Sequence, residues 1–454
     1  MLFYFDLTKK VFEKYFVFLN FSIRVSKILV QFDMTILVVP NLTCNLRCSY
    51  CFAHGYDWNK NSTYDLQAIL NSMEALHRET SGNSFCMHGG ECTLIARKDF
   101  EAILKKMHEM QGRSSIQTNC YNLDENLIEL FKKYNTSVGI SIDGDDGLNS
   151  LRGFPANKRK NREYTNQVIN NIFRLQEEGV SVGIMVVLTK VNAGSNANLR
   201  KLVRFILKLR EHKILSGRLN LMWSNCTETR KYELTPEEAS HAWLYLYENL
   251  KQFGNLQWQP FRDFTDNLLG FGHSSCSYGK CDYFCTTTKV ILPDGSLGNC
   301  DRTHQEGSTY TRASMSYERY RALKATDCRK CKFWDACYGG CPSEGIDGDW
   351  RNKTRWCQPI YDLYTAIEFD LKSLLPNIKL VSAWNSPEDY FDALRRGKRF
   401  DAVERLSFVT AKKPSTWRTV QLKENRQAKT MQPQTKQQLA EQKEAFQAKG
   451  DVSC

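Results

Sequence analysis

Three cysteines stand close together near the start of the chain, in the order Cys44-x3-Cys48-x2-Cys51. Thiolates at this spacing can bind three irons of a [4Fe–4S] cluster, a cofactor that is usually held by four cysteines. Without a fourth cysteine, one iron stays open to a small molecule. The alternative is a zinc site, for which His54 offers a fourth ligand.

A second group of nine cysteines lies between residues 276 and 357. This segment has little apolar core, so we expect metal rather than burial to hold it together. The chain has 17 cysteines among 454 residues, too long a chain for a small secreted disulfide scaffold. A pair of structural zinc sites with four cysteines each is the alternative to iron–sulfur clusters.

Short apolar runs alternate with amphipathic stretches from residue 35 to residue 224. The predicted strands are 35–40, 84–88, 114–119, 136–142, 180–188 and 217–224. The predicted helices are 64–79, 98–111, 123–133, 164–178 and 196–211, followed later by 235–253 and 359–374. Strands that alternate with helices of this length form parallel βαβ units. Because six units are too few for a closed eight-stranded barrel, the sequence predicts an α/β fold with a partial (β/α)6 barrel.

Several polar motifs fall where these predicted strands end, which is where the active residues of parallel barrels lie. The second strand ends in His88-Gly89-Gly90-Glu91, and the fourth ends in Ser141-Ile-Asp143. Glycines let a backbone approach a ligand closely, and a carboxylate can accept hydrogen bonds from an ammonium group. Each motif alone is more often an ordinary strand-end turn, so their shared order along the chain is the informative feature.

With these motifs in this order, the chain resembles the radical S-adenosylmethionine (SAM) enzymes. In that family a Cys-x3-Cys-x2-Cys loop also follows the first barrel strand, and the resemblance implies a [4Fe–4S] cluster on Cys44, Cys48 and Cys51. The second strand-end motif resembles the family's Gly-Gly-Glu-Pro motif, with Cys92 in place of the proline. The cofactor-binding residues that the resemblance implies are Tyr50, Gly89, Gly90, Glu91, Ser141, Asp143 and Arg152.

The later cysteines resemble the seven-cysteine signature of the SPASM domain, which implies two auxiliary [4Fe–4S] clusters and three clusters in all. By this resemblance the second auxiliary cluster takes Cys328, Cys331, Cys337 and Cys357. The first takes Cys285, Cys300, Cys341 and either Cys276 or Cys281, a choice that the sequence leaves open.

Asp301 directly follows one of these cysteines. In sulfatase-maturing enzymes an aspartate at the matching position is the base that deprotonates the substrate, so Asp301 is the candidate catalytic residue; the alternative is a polar turn residue beside the cluster loop. The chain continues Arg302-Thr303-His304, unlike the aromatic residues of sulfatase maturases, which argues against a sulfatase substrate.

The resemblance implies an oxidoreductase that removes a hydrogen atom from a ribosomally made peptide and installs a cross-link or an oxidation. The implied cofactors are SAM and the clusters; the implied partners are a precursor peptide or protein and a reducing protein such as flavodoxin or ferredoxin. One alternative is an anaerobic sulfatase-maturing enzyme that forms formylglycine. An alternative of another class is a non-catalytic zinc protein that binds nucleic acid through its net charge of +12; we expect neither nucleic acid nor membrane as a partner.

The ends of the chain differ in composition from its middle. The longest charge-free apolar run in residues 1–33 is far shorter than the roughly 20 residues that span a bilayer. Because exposed clusters of the implied kind are oxygen-sensitive, a cytoplasmic protein is expected. Met34 is an alternative start, and residues 411–454 form a basic, glutamine-rich tail. The predicted divisions are 1–33 as an N-terminal extension, 34–233 as the radical SAM barrel, 234–275 as a helical linker, 276–375 as the SPASM domain, 376–410 as a helical extension, and 411–454 as the tail.

Overall fold

A sheet of parallel strands, with a helix after nearly every strand, forms the centre of the computed structural model. The structure describes residues 34–51, 63–79, 83–145, 147–224, 227–254, 256–269, 290–298, 319, 321–323, 325–378 and 380. Within these ranges the six predicted strands are all present and lie side by side in chain order. The predicted α/β fold with a (β/α)6 core is therefore confirmed.

Within the described ranges, nine short strands make up this sheet. They are β1 Met34–Val38, β2 Asn83–Met87, β3 Ser114–Thr118, β4 Thr136–Ser141, β5 Ser181–Leu188, β6 Ser216–Leu221, β7 Gln257–Gln259, β8 Val290–Ile291 and β9 Leu297–Gly298. The strand order is β7-β6-β5-β4-β3-β2-β1-β8-β9, and only the β8–β9 pair is antiparallel. The sheet thus stays open, and all strands from β1 to β7 end at the same edge.

The main helices lie between and after these strands. They are Leu66–Glu79, Arg97–Gln111, Glu125–Lys133, Lys158–Glu177, Asn196–Glu211, Pro236–Leu250, Phe261–Leu268 and Cys357–Leu374. The helix Lys158–Glu177 begins six residues earlier than predicted, at a stretch whose dense charge hides the apolar periodicity. It begins there because the Asn157 side chain accepts a hydrogen bond from the Lys160 amide.

The two faces of the sheet are buried to different extents. In β3, β4 and β5 the buried residues alternate with half-buried ones. The buried face carries apolar side chains such as Ile116, Val138 and Ile184, which belong to the main core. The other face carries the half-buried Gln117 and Ser141. One face is therefore covered by helices, and the other forms a partly open concave surface that leads to the strand ends.

The cysteine-rich region is attached to the barrel by a β-hairpin. Strand β8 pairs in parallel with β1, and Pro293-Asp294-Gly295 form the turn that leads from β8 to β9. The Ser72 hydroxyl donates a 2.6 Å hydrogen bond to the Gly295 carbonyl. Gly295 has a φ of +79°, and a Cβ there would lie 2.6 Å from the Ala68 Cβ, so this close contact requires glycine. The hairpin thereby fixes one end of the cysteine-rich region to the barrel edge.

The helix Cys357–Leu374 is a second attachment between the two parts. Its Tyr364 ring stacks on Phe264, with 4.1 Å between the ring centres. The Tyr364 hydroxyl donates a 3.1 Å hydrogen bond to the carbonyl of Ala336, the residue before Cys337. One buried tyrosine therefore contacts both the barrel flank and a cysteine loop.

The region between residues 234 and 275 is more than the helical linker that the sequence predicted. After the helix Pro236–Leu250 it adds the short strand β7 to the sheet, beside β6. A strand of three residues is too short to show a period of two in a sequence. Residues 1–33 and 411–454 lie outside the described residues, as does nearly all of 376–410. No helix among the described residues is long and apolar enough to cross a membrane.

Candidate active site

The first cysteine loop begins six residues after β1 and is held by the loop that follows β4. The Arg47 amide donates to the Gly153 carbonyl at 2.9 Å, and the Ser49 amide donates to the Leu151 carbonyl at 2.8 Å. The Gly153 amide donates in turn to the Cys48 sulfur at 3.3 Å. Backbone hydrogen bonds in both directions thus fix the shape of the cysteine loop.

The glycine pair after β2 packs against the residues that lead into this loop. A Cβ on Gly90 would lie 2.2 Å from the Thr43 carbonyl oxygen, and one on Gly89 would lie 2.4 Å from the Asn41 carbonyl oxygen. Gly89 also has a φ of +133°, which disfavours other residues. The Glu91 amide donates to the Thr43 carbonyl at 2.8 Å. The sequence predicted that these glycines let the backbone approach a ligand closely. In the structure they let it approach the backbone of Asn41 and Thr43.

The Glu91 carboxylate is already engaged by four donors. Its Oε1 accepts from the Thr93 amide at 3.2 Å, the Thr93 hydroxyl at 2.8 Å and the Thr118 hydroxyl at 2.7 Å. Its Oε2 accepts from the Asn119 amide at 2.7 Å. The side chain is buried. The sequence suggested that this carboxylate accepts from an ammonium group, but its observed contacts join the ends of β2 and β3 to each other.

Tyr50, Asp143 and Arg152, which the sequence predicted as separate cofactor contacts, form one buried cluster. The Tyr50 hydroxyl donates to Asp143 Oδ2. Asp143 Oδ1 accepts from the Val187 amide at 2.9 Å and from Arg152 Nη2 at 3.3 Å. The Arg152 guanidinium lies 5.5 Å from the centre of the Tyr50 ring. Asp143 therefore orients both the aromatic ring and the cation beside the cysteine loop.

Three buried polar atoms around the loop have no hydrogen-bond partner within the described part of the chain. They are Asn41 Oδ1, Asn45 Nδ2 and Arg152 Nε. Buried donors and acceptors without a partner are costly, which makes them candidate ligand contacts. One acceptor, one amide donor and one cationic donor suit a ligand that carries both an ammonium and a carboxylate group, as the methionyl end of SAM does. Ser141, the remaining predicted contact, accepts a 2.8 Å hydrogen bond from Gln117 on the concave face.

The thiols of the loop suit a cationic cluster. Burial raises the pKa of the Cys44 thiol to about 12, with smaller contributions that include the Glu91 carboxylate and Cys48. Burial also raises the pKa of Cys48. Buried thiolates are therefore disfavoured unless a metal compensates them. Amides of Leu46 and Gly153 donate to the two sulfurs, a kind of contact that tunes iron–sulfur clusters. The donor set fits a [4Fe–4S] cluster, with Cys51 as third ligand.

A second group of cysteines meets in the C-terminal region. Burial raises the pKa of Cys337 well above its ordinary value, and the thiols of Cys357, Cys331 and Cys328 raise it further. The other three thiols therefore lie near enough to Cys337 to affect its pKa. Within the described ranges no three cysteine, histidine, aspartate or glutamate side chains converge as ligands of one metal ion would. In an iron–sulfur cluster each cysteine binds a different iron.

Five predicted site residues lie outside the described residues. They are Cys276, Cys281, Cys285, Cys300 and the candidate base Asp301. His54, the alternative zinc ligand, lies outside them too. Cys341 is described and buried, with its sulfur 3.0 Å from the Ser343 hydroxyl.

Asn192 belongs to the site although the sequence analysis did not identify it. It is fully buried and donates to the Asp143 carbonyl at 3.2 Å and to the Val187 carbonyl at 2.9 Å. Its side chain also completes a capping box with Thr189, directly after β5. A threonine at a strand end with a polar residue three positions later is a signal that was available in the sequence.

Comparison with known proteins identifies the barrel. The family model of the radical SAM superfamily matches residues 38–203. The chain contains a radical SAM domain. This domain spans β1 to the helix Asn196–Glu211 and carries the first cysteine loop, the glycine pair and the Tyr50–Asp143–Arg152 cluster.

The radical SAM domain has relatives among maturases. The chain is 26% identical over 341 residues to the cysteine-type anaerobic sulfatase-maturating enzyme of Clostridium novyi, covering 68% of this chain and 88% of that protein. It is 25% identical over 364 residues to the serine-type enzyme of Bacteroides thetaiotaomicron, covering 69% and 84%. The chain with its radical SAM domain is thus homologous to these maturases, and the radical SAM superfamily implies SAM and a [4Fe–4S] cluster as cofactors.

Solved structures show the same fold. The structure of anSMEcpe with bound AdoMet and the Cp18Cys peptide matches with a TM-score of 0.58 and 20% identity, covering 76% of this chain and 99% of that chain. Streptococcus suis SuiB bound to S-adenosylmethionine matches with a TM-score of 0.52 and 17% identity, covering 71% and 76%. The radical SAM fold predicted from the strand-end motifs is confirmed.

The Arg152→Gln variant is expected to bind SAM roughly 10- to 100-fold more weakly, since hydrogen bonds to charged groups contribute about 1.5–3 kcal/mol. The substitution also leaves Asp143 without its cation. Equilibrium binding of SAM to the anaerobically reconstituted protein measures the effect. Arg159→Gln is the matched control, because Arg159 is 90% exposed and pairs with Glu163 on the helix surface. Equal affinities of the Arg152→Gln and wild-type proteins would contradict the assignment.

Proposed function

We propose that this protein is a maturase of a ribosomally made peptide, from which it removes a hydrogen atom to install a cross-link or an oxidation. The observation that carries the proposal is the second group of cysteines. Cys328, Cys331, Cys337 and Cys357 lie near one another in a region that is hydrogen-bonded to the radical SAM barrel through Arg355 and Glu233. Auxiliary clusters beside a radical SAM site are typical of enzymes that modify peptides and proteins.

The proposal includes three [4Fe–4S] clusters. Cys44, Cys48 and Cys51 hold the first, and Cys328, Cys331, Cys337 and Cys357 hold one auxiliary cluster. Cys285, Cys300 and Cys341 hold the other, together with either Cys276 or Cys281. The thiols of Cys357, Cys331 and Cys328 raise the pKa of Cys337, which supports placing these four cysteines in one set.

The chain's own residues have distinct tasks in this proposal. When bound, SAM and its cluster supply a 5′-deoxyadenosyl radical that removes a hydrogen atom from a substrate carbon. Arg152 and Asn41 provide a donor and an acceptor for the methionyl end of SAM, and Asp143 holds Arg152 in place. Tyr50 lies beside the third cysteine and presents its ring near the adenine. Asp301 is the candidate base for the substrate proton.

Sulfatase maturation is the second candidate function. It is supported by the curated relatives, which include cysteine-type and serine-type sulfatase-maturating enzymes, and by the match to anSMEcpe with the bound Cp18Cys peptide. Peptide modification is supported by the match to SuiB bound to the precursor peptide SuiA, at a TM-score of 0.50. A zinc protein without catalysis is not favoured, because the chain carries a radical SAM domain.

The deciding experiment offers both kinds of substrate to the reconstituted enzyme. Protein is purified and kept without oxygen, then incubated with SAM, a chemical reductant and one peptide at a time. The peptides are those encoded beside its gene, and synthetic sulfatase segments with cysteine or serine at the modified position. A cross-link removes two hydrogens, as does the oxidation of serine to formylglycine. Formation of formylglycine from cysteine also replaces sulfur by oxygen, and tandem mass spectrometry locates each change.

Modification of a neighbouring peptide would support the proposal, and modification of the sulfatase segment alone would replace it with the second candidate. A reducing protein such as flavodoxin or ferredoxin is the proposed natural electron donor. The net charge of +12 suits the acidic surfaces of such donors. We also propose a cytoplasmic location, because reduced clusters and SAM are required together.

A further inference from the structure

Arg355 joins the barrel to the C-terminal cysteine region through two carboxylates. Its Nη1 donates to Glu233 Oε2 at 2.8 Å, and its Nη2 donates to Glu233 Oε1. Its Nε donates to Glu344 Oε2 at 2.8 Å. The carboxylate side chains are only 8% and 3% exposed, and the arginine side chain is 32% exposed. The Arg355 guanidinium therefore forms ion pairs with two buried carboxylates that come from different parts of the chain.

Glu233 belongs to the mouth of the barrel. Its Oε1 also accepts a 2.9 Å hydrogen bond from the amide of Ser224, three residues past the end of β6. The preceding residue, Tyr232, packs against the buried apolar cluster that contains Tyr50 and Met222. Tyr50 lies between Cys48 and Cys51. The segment that carries Glu233 therefore packs against an apolar cluster that includes one residue of the first cysteine loop.

Glu344 and Arg355 belong to the loops of the second cysteine group. The Glu344 amide donates to the Cys341 carbonyl at 3.2 Å, and the Arg355 amide donates to the Glu344 carbonyl at 2.8 Å. Arg355 lies two residues before Cys357, and its guanidinium is 4.6 Å from the centre of the Trp356 ring. A short path of contacts thus runs from the first cysteine loop through Tyr232, Glu233 and Arg355 to the cysteine loops.

We propose that Arg355 is a positioning residue, which fixes the C-terminal cysteine region against the barrel mouth so that hydrogen-atom abstraction ends in product rather than in abortive cofactor cleavage. This inference rests on the proposed function. The guanidinium suits the task because its rigid fork binds one carboxylate with two parallel bonds and still reaches a second. A lysine ammonium keeps the charge but loses the fixed angle between the two parts.

The test compares productive with abortive turnover. The measured quantity is the amount of 5′-deoxyadenosine formed per modified peptide, in protein with full iron content. Because small misplacements at a reacting centre have large effects on rate, we expect Arg355→Gln to raise this ratio by about tenfold or more. Arg355→Lys is expected to raise it less. Arg351→Gln is the matched control, since Arg351 pairs with Asp349 inside the same region and should leave the ratio unchanged.

A double variant separates positioning from simple destabilisation. Arg355→Gln leaves two buried carboxylates without their cation, which lowers stability by itself. Adding Glu344→Gln removes one of those charges and should recover part of the lost melting temperature. The abortive ratio should nevertheless stay high, because the link between the two parts is still missing. A normal ratio in the double variant, or in folded and iron-loaded Arg355→Gln, would overturn the proposal.

A second readout needs no substrate. Amide hydrogen exchange of the iron-loaded protein should become faster at Ser224 and at Glu344 together in Arg355→Gln, and at neither in Arg351→Gln. If the wild-type enzyme modifies no peptide, the proposed function fails while this exchange result still tests the link. Faster exchange at only one of the two amides would overturn the role of Arg355 as a connection between the parts.

Discussion

Replacing Cys48 by serine is expected to abolish reductive cleavage of SAM, with a loss of at least about 100-fold, and to remove about four irons per chain. A serine hydroxyl is a harder and weaker ligand for iron than a thiolate. The serine hydroxyl would also accept the hydrogen bond that the Gly153 amide donates to the Cys48 sulfur at 3.3 Å. The measurements are iron and sulfide content, the EPR spectrum of the reduced protein with and without SAM, and the yield of 5′-deoxyadenosine.

Two other cysteine variants make this result specific. Cys86→Ser changes a thiol in β2 that accepts a 3.6 Å hydrogen bond from Ser115, away from the first cysteine loop, and should keep both iron and cleavage. Cys337→Ser should also lose about four irons, yet still cleave SAM without modifying the peptide, if the auxiliary assignment is correct. Full iron and full cleavage in Cys48→Ser would remove Cys48 from the proposed ligands.

The Glu91→Gln variant is expected to lose about 2–3 kcal/mol of unfolding free energy and most of its SAM binding. A glutamine can keep one oxygen towards the Asn119 amide, but its NH2 group then faces the Thr93 amide, another donor. The threonine hydroxyls can rotate to accept, whereas the Thr93 amide cannot. The ends of β2 and β3 would separate. This would disturb the cysteine loop, because the Glu91 amide donates to the Thr43 carbonyl and the Asn119 side chain donates to the Cys44 sulfur.

Chemical denaturation of the reconstituted protein, followed by fluorescence, measures this loss of stability. Glu109→Gln is the control, because Glu109 is about half exposed and its contact with Lys105 is long, at 3.8 Å. Exposed pairs of this kind contribute roughly 0–1 kcal/mol. If Glu91→Gln were as stable as the control but did not bind SAM, the carboxylate would contact the ligand directly instead of bracing the strand ends.

The two variants distinguish a ligand from a support. Cys48 should affect iron content and cleavage while the sheet stays folded, because it lies in the loop after β1 and not in a strand of the sheet. Glu91 should affect stability and cofactor binding together, because its carboxylate joins two strands. The Cys48 variant should lose mainly iron, whereas the Glu91 variant should lose mainly unfolding free energy. Both quantities can be measured on the same preparations.

Much of the fold was predictable from the sequence. The apolar runs of parallel strands and the apolar stripes of the intervening helices leave a local pattern, so all six barrel strands and the helix Asn196–Glu211 were found near their observed bounds. Local patterns failed where the element was short, as in β7, or dense in charge, as at the start of the helix Lys158–Glu177. In both places contacts with distant residues decide the structure.

The sequence by itself determined the chemistry that this protein has available: the spacing of Cys44, Cys48 and Cys51, the glycine pair at the end of β2, and a second cysteine group. These follow from residue type and spacing along the chain. Only the tertiary structure decided which partners these residues bind. Glu91 braces two strands, and Asp143 holds Arg152 and Tyr50. Arg355 reaches Glu233, 122 positions away in the chain. Such pairings depend on which loops the sheet brings together, and spacing along a chain carries no record of them.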